Sequence, residues 1–418
     1  MVNLPLSFTE YTRQLMGDER FERYLQSFEE EAPVSIRLNP KKVGGERGER
    51  REERGERREE RGERVPWCRN AYYLPQRPNF TMDPLLHAGC YYVQEAASMF
   101  LDEVLRQHLP QHQLTALDLC AAPGGKSTLL AAALPADSVL YSNEPVRQRA
   151  NILLENVTKW GYPNHTVTNA YPEVYRKSKC HFDFILCDVP CSGEGMFRKD
   201  EATIREWSPQ NVDRCWQLQR SIVSDAWACL NPGGLLIYST CTFNTKENEE
   251  NVRWFLETFD DAEILPVDVR PEWNITGSLL PGFDAPVYRF IPGITRSEGL
   301  FMCVMQKRGT RCEVRGTRLP SSAVLSANKL FSYLEPRTSY LEKLPCADLT
   351  YPQALAYLRG EALVLPPDTP RGLVTVTFMG HPLGQVKNIG TRANNLYPKE
   401  WRIKTTHVPT DYEPVLTL

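Results

Sequence analysis

Two cysteines and a carboxylate stand just past runs that read as buried strands. The run Phe182–Cys187 hands on to Asp188, Pro190 and Cys191 within F-D-F-I-L-C-D-V-P-C-S-G-E-G-M-F. A second run, Gly234–Ser239, follows an Asn-Pro-Gly-Gly turn and ends at Cys241. One cysteine at a strand end is usually packing. Two of them, each with polar neighbours, are less easily dismissed. A third run, Ala116–Leu119, opens into Cys120-Ala121-Ala122-Pro123-Gly124-Gly125-Lys126-Ser127. Parallel strands would put all three ends on one side of a sheet, where ligands bind.

The small residues of the 120–127 loop let a ligand come close to backbone amides at the start of a helix. A phosphate-binding P-loop needs glycine where Cys120 stands, and no dinucleotide fingerprint is present. S-adenosylmethionine (SAM) has no phosphates and carries a sulfonium. It wants small residues at its amino-acid end and carboxylates for its ribose and cation. Glu144, after the run Ser138–Ser142, suits the ribose hydroxyls, and Asn169, after Thr166–Thr168, suits the adenine edge.

A thiol beside a methyl donor suggests one reaction. Carbon 5 of a pyrimidine is a poor nucleophile, and addition of a thiolate to carbon 6 turns the ring into an enamine that attacks the methyl group. Loss of the carbon-5 proton and expulsion of the sulfur restore aromaticity, which is covalent catalysis. The attacking cysteine needs a pKa below the free value of about 8.5. Asp188 would face the N3/N4 edge of cytosine. A stacked target base must first be flipped out.

The chain has 418 residues, room for two or three domains, and a net charge of −3. That balance argues mildly against a nucleic-acid binder, although Arg359–Lys404 is locally basic. No apolar run is long enough to span a bilayer, and the first residues carry no secretory pattern, so a cytoplasmic location is expected. Twelve scattered cysteines fit a reducing compartment, and the lack of a C-x-x-C pair leaves no zinc site expected.

Five apolar runs (the fifth is Gly234–Ser239) alternate with helical stretches such as Pro145–Trp160 and Val212–Leu230, and Phe301–Gln306 is a closing strand. This predicts an α/β fold with a doubly wound, mostly parallel sheet. Ahead of it, Phe8–Phe28 is spaced as a helix, Val34–Leu38 as a strand and Tyr91–Leu105 as a helix, with Trp67–Gly89 rich in loops. Between them, Glu46–Arg64 repeats E-R-G-E-R-R-E with no apolar face and reads as a solvated insertion. After Lys307 a polar linker leads to short helices over Leu325–Leu344. A helix at Pro352–Arg359 and short strands at Leu363–Leu365, Leu373–Phe378 and Pro382–Val386 follow.

The motifs Gln94–Met99, Asp118–Ser127, Asp188–Asp200 and Tyr238–Thr242 resemble the Nol/Nop/Sun family of SAM-dependent RNA cytosine-5 methyltransferases, in particular its RsmF-type bacterial branch. The resemblance implies a class I, Rossmann-like methyltransferase fold and 5-methylcytosine formation in RNA. It implies Cys241 as nucleophile, Cys191 as the residue assisting product release, and SAM contacts from Cys120 to Lys126, Glu144, Asn169 and Asp188. Many members carry Asp at Asn169, and many carry His at Gly293. Lys199 is a substrate-side candidate. Leu355–Glu361, Gly380–Lys387 and Asn394–Arg402 resemble the branch's PUA-like RNA-binding module, with Tyr397 and Trp401 suited to stacking.

The expected organisation is an N-terminal RNA-binding α/β extension over 1–84, a catalytic domain over 85–308, and a linker with a β-rich PUA-like domain over 309–418. The expected substrate is small-subunit ribosomal RNA, free or in the subunit, acted on by a monomer with no membrane contact. Transfer RNA is the alternative within the class. A P-loop NTPase using Gly125-Lys126-Ser127 and a non-catalytic RNA-binding assembly factor are alternatives outside it.

Overall fold

The computed structural model of the chain describes residues 2–43, 62–309, 332–334, 344–405 and 407–416. The repeat up to residue 61 and most of the linker region lie outside these. An N-terminal sheet contains β1 (Val34–Leu38), β2 (Glu63–Arg64), β3 (Ala71–Leu74) and β4 (Tyr91–Val93), in the order β2-β3-β1-β4.

The central sheet holds β5 (Thr115–Asp118), β6 (Val139–Asn143), β7 (His165–Asn169), β8 (Phe182–Asp188), β9 (Leu230–Thr240), β10 (Ala262–Ile264), β11 (Tyr288–Phe290), β12 (Leu300–Lys307) and β13 (Ser332–Leu334). Its order is β10-β12-β9-β8-β5-β6-β7-β13, with β11 on β12. Strands β5 to β9 pair in parallel, and β12 lies antiparallel to β9. The build direction reverses at β5, with β6 and β7 on one side and β8 and β9 on the other. The carboxyl ends of β5 and β8 therefore border the crevice where such sheets bind ligands.

Burial on both faces explains why the runs are largely apolar. Ala116, Phe184, Leu186 and Ile237 point into one core, and Leu117, Ile185, Cys187, Leu236 and Tyr238 into the other. Each fully buried leucine or isoleucine contributes roughly 1.5–3 kcal/mol.

Several expectations change on contact with the fold. Phe8–Phe28 is two helices, Leu6–Met16 and Asp18–Gln26, because Gly17 at φ +78° turns the chain between them. Tyr91–Leu105 is not one helix: Tyr91–Val93 pairs with β1, and the α-helix starts at Leu101. Aromatic and β-branched residues favour that strand. The sheet thus continues past residue 84. Trp67–Gly89 contains β3 and a short helix, Pro84–His87, capped by Asp83. Of Leu325–Leu344, Ser332–Leu334 is a strand on β7, Leu344 is a bend, and the remainder lies outside the described residues.

The N-terminal helices pack onto the segments that follow β8 and β9. Phe8 meets Phe197 at 4.9 Å and Tyr24 meets Phe243 at 5.4 Å, ring centre to ring centre. Gly293, at φ +80°, passes so close to the Arg23 carbonyl that a Cβ would sit 2.3 Å from its oxygen, so no side chain fits there.

The C-terminal sheet is β14 (Cys346–Asp348), β15 (Gly372–Phe378), β16 (His381–Asn388) and β17 (Ala393–Asn395), beside the helix Tyr351–Leu358. It shares a core with the N-terminal sheet, Leu355 and Val386 with Ile36 and Leu38. Leu363 makes only an isolated bridge to Ala393. Tyr397 is only 4% exposed and packs on Tyr357, so its ring is not a free stacking surface. Trp401 is half-buried beside it.

Candidate active site

The 120–127 loop is tied back on several sides. Helix Arg147–Trp160 supplies Arg149, which donates to the Ala122 carbonyl at 3.0 Å, and Asn156, which donates to that of Pro123 at 2.8 Å. The buried Arg37 of β1 donates to the Gly125 carbonyl at 3.1 Å and to Thr128 at 2.7 Å. Gly124 takes φ +118° as the cap of helix Gly125–Ala133, a conformation glycine favours. Behind the loop, Ser127 donates to Asp118 at 2.5 Å, and burial pushes that carboxyl up to about 7.

Lys126 Nζ lies 2.8 Å from Asp188 Oδ2, and Ser239 donates to Asp188 Oδ1 at 2.7 Å. Burial works against the Lys126 ammonium, but Asp188, with Cys241 and Asp118 adding to it, more than offsets this and the pKa is raised. Lys126 is thus engaged by a carboxylate, which removes the lysine an NTPase would place on phosphates. Glu144 is buried at the end of β6. It accepts from the Val146 amide at 2.9 Å and faces Arg149 at 3.3 Å.

Cys191 and Cys241 meet with their sulfurs 3.1 Å apart, and the Cys241 amide donates to the Cys191 sulfur at 3.2 Å. Both are free thiols. The hydrogen bond to Cys241 and burial hold the Cys191 thiol well above its ordinary pKa, with Glu247 adding to the effect. The two loops are laced together. Glu194 accepts from the amides of Phe243 (2.7 Å) and Asn244 (2.8 Å), and Gly195 donates to the Cys241 carbonyl at 2.9 Å. The buried Arg289–Glu249 pair holds the Phe243 carbonyl at 2.7 Å through Arg289.

One cavity of about 510 Å³ is lined by Cys120, Ala122, Lys126, Glu144, Asp188, Cys191 and Cys241 together. Lys199 lines it too. Ala121, Pro123, Gly124 and Gly125, in the same loop, do not line it. Asn169 does not reach the cavity wall. Its amide nitrogen donates to the carbonyls of Glu144 (2.6 Å) and Pro145 (2.9 Å), so it braces the loop that bears Glu144.

Sequence reasoning missed the rim residues Val146 and Tyr171, 50% and 65% exposed on the cavity wall. Exposed apolar side chains after strand ends were the available signal. It also missed Glu194 and Glu247, whose partners lie some 50 and 30 residues away.

The donor set fits SAM. A buried carboxylate follows β6, a second lines the same cavity as the cysteines, small residues form the β5 turn, and the nearby cations Lys126 and Arg149 are paired with acids. Doubly wound sheets bind ligands in such a crevice at the switch point, and this lining is that of a SAM-dependent methyltransferase.

Family models match three stretches: 16S rRNA methyltransferase RsmB/F over residues 106–306, the N-terminal domain of 16S rRNA methyltransferase RsmF over 4–96, and the methyltransferase RsmF PUA domain over 345–403. The ribosomal RNA small subunit methyltransferase F of Salmonella agona is 31% identical over 405 residues, covering 80% of this chain and 84% of that one. A methyltransferase homolog protein from Pyrococcus horikoshii has a similar structure, with a TM-score of 0.60 at 27% identity, covering 72% of this chain and 94% of that one. NSun6 from the same organism, solved with SFG, shares the fold at 19% identity and a TM-score of 0.58, covering 73% and 99%. The chain belongs to the RsmB/F family of 16S rRNA methyltransferases.

Glu144→Ala should weaken SAM binding. A charged hydrogen bond contributes about 1.5–3 kcal/mol, so calorimetry should show the Kd rising about ten- to hundredfold. An unchanged Kd would remove Glu144 from the ribose site.

Proposed function

We propose that the protein methylates carbon 5 of a cytosine in small-subunit ribosomal RNA. The observation that carries this reading is the pair of thiols in contact at 3.1 Å, on the wall of the cavity that also bears Glu144 and Asp188. The rRNA substrate is supported by what the Salmonella relatives are named for and by the match to an RsmF PUA domain. A soluble cytoplasmic monomer suits that work. Among the described residues no helix is long and apolar enough to cross a membrane.

SAM supplies the methyl group when bound. Glu144 would hold its ribose, the Cys120–Lys126 loop its amino-acid end, and Val146 and Tyr171 offer apolar faces to its adenine.

The remaining steps belong to the chain. Cys241 loses its proton to solvent and adds through sulfur, as the thiolate, to carbon 6 of the flipped cytosine. Asp188 accepts from the ring's amino group, and Lys126, 2.8 Å from that carboxylate, offsets the charge that builds on the ring. After carbon 5 is methylated, Cys191 takes the carbon-5 proton and passes its own to the departing Cys241 sulfur. The carbon 5–carbon 6 double bond reforms as the carbon–sulfur bond breaks. Both residues end as thiols. Cys191, held protonated in the resting site, does not compete as nucleophile.

Three units would divide the work. An N-terminal part and a PUA domain engage RNA, and the catalytic domain lies between them in the chain. Bisulfite sequencing of small-subunit rRNA from cells with and without the gene tests the reading. One cytosine should lose protection in the deletion and regain it with the wild-type gene. Unchanged protection throughout, with a loss in transfer RNA instead, would overturn the substrate assignment.

A further inference from the structure

One carboxylate joins the segments that carry the two thiols. Glu247 is fully buried, and its Oε2 accepts from the Ser192 amide at 3.0 Å and from Gln219 Nε2 at 2.7 Å. Its Oε1 accepts from Asn244 Nδ2 at 2.8 Å, and its own amide donates to Asn244 Oδ1 at 2.9 Å. Asn244 lies three residues past Cys241, and Ser192 directly follows Cys191.

Gln219, from helix Pro209–Ala228, completes the arrangement. Its Nε2 also donates to the Pro190 carbonyl at 2.9 Å. Its orientation is forced, because Oε1 accepts from Asn251 Nδ2 at 2.8 Å. The backbone on both flanks of Cys191, the Pro190 carbonyl and the Ser192 amide, is therefore held by one interlocked acid–amide pair. Neither side chain is exposed to solvent and neither lines the cavity. They are positioning residues, with no contact to substrate.

We infer that Glu247 and Gln219 form a clip that sets Cys191 against the Cys241 sulfur, and that the release step depends on this clip more than the attack step does. The inference rests on the adduct mechanism proposed above. Attack needs only the Cys241 sulfur and the ring, whereas release needs Cys191 to reach both carbon 5 and the departing sulfur. A displacement of about 1 Å in such a group can cost about 10²-fold in rate. Cys241 also has a hold that does not pass through this pair: it directly follows β9, which pairs with β12 up to Thr240.

Gln219→Met keeps the length of the side chain and removes both donors. Glu247→Gln keeps the shape but turns an amide donor toward donors, whether it faces Asn244 or Ser192 and Gln219. The full-length variants are compared with wild type and Cys191→Ala for SAM affinity, for turnover on unmodified small-subunit rRNA, and for RNA-linked protein on denaturing gels. The clip predicts unchanged SAM affinity, turnover lower by about 10²-fold, and accumulation of covalent adduct, as in Cys191→Ala. Wild-type turnover, or turnover and adduct lost together while SAM still binds, would overturn it. If Gln219→Met fails to bind SAM, Glu247→Gln decides. If neither binds, the pair supports the whole fold rather than Cys191, and the inference fails. Absence of adduct in Cys191→Ala itself would instead count against the mechanism on which the clip rests.

Discussion

Cys241→Ala is expected to bind SAM as the wild type does and to lose methyl transfer by at least about 10⁴-fold, the scale seen when a covalent nucleophile is deleted. The separation of the two effects follows from where the residue sits. Cys241 lies on the cavity wall just past β9, while Glu144, proposed for the ribose, follows β6 and the glycine turn follows β5. Removing the sulfur leaves those elements and their hydrogen bonds in place. The neighbouring backbone is held by Glu194 and Gly195, which do not use the Cys241 side chain. A single-turnover assay with labelled SAM, beside calorimetry on the same preparation, checks both halves. Residual turnover within an order of magnitude of wild type would mean that another group attacks the ring.

Cys191→Ala should behave differently. The attack is intact, so the adduct forms, but the thiol 3.1 Å from the departing sulfur is gone. A positioned acid–base group typically contributes about 10²–10⁴-fold, and release should slow by that order. The protein should then accumulate as an RNA-linked species that survives denaturation, visible as a shifted band sensitive to ribonuclease. A variant that turns over normally and shows no such band would assign Cys191 to packing alone.

Much of this site is legible in the sequence because its residues lie directly after apolar strands. Asp188, Cys191 and Cys241 close or follow β8 and β9, and parallel pairing of those strands brings them to one end of the sheet. Runs buried on both faces, such as Phe184–Cys187, carry a strong signal because no polar residue on a solvent face interrupts them.

What escapes has a different physical origin. Asn169 stands at a strand end as Glu144 does, yet its amide finds two backbone carbonyls, and strand position cannot reveal that choice. Tyr397 sits among basic residues, but its ring is in the core of the C-terminal unit. The contact of Tyr11 with Thr245 spans 234 residues, and the packing of Phe8 on Phe197 is equally remote from local periodicity. Tyr91–Val93 merges with the helical stretch that follows it, because three residues cannot show a period of two against the i, i+3, i+4 spacing beyond them.

The most direct test uses RNA in which the target cytosine carries fluorine at carbon 5. Fluorine cannot depart as a proton does, so the protein stays joined to the ring after attack. Peptide mapping of the trapped complex by mass spectrometry should place the nucleotide on Cys241, in the tryptic peptide 221–246, with Cys191 unmodified. Linkage at Cys191, or SAM-dependent methylation of ordinary RNA with no trapped species from the fluorinated one, would contradict the account.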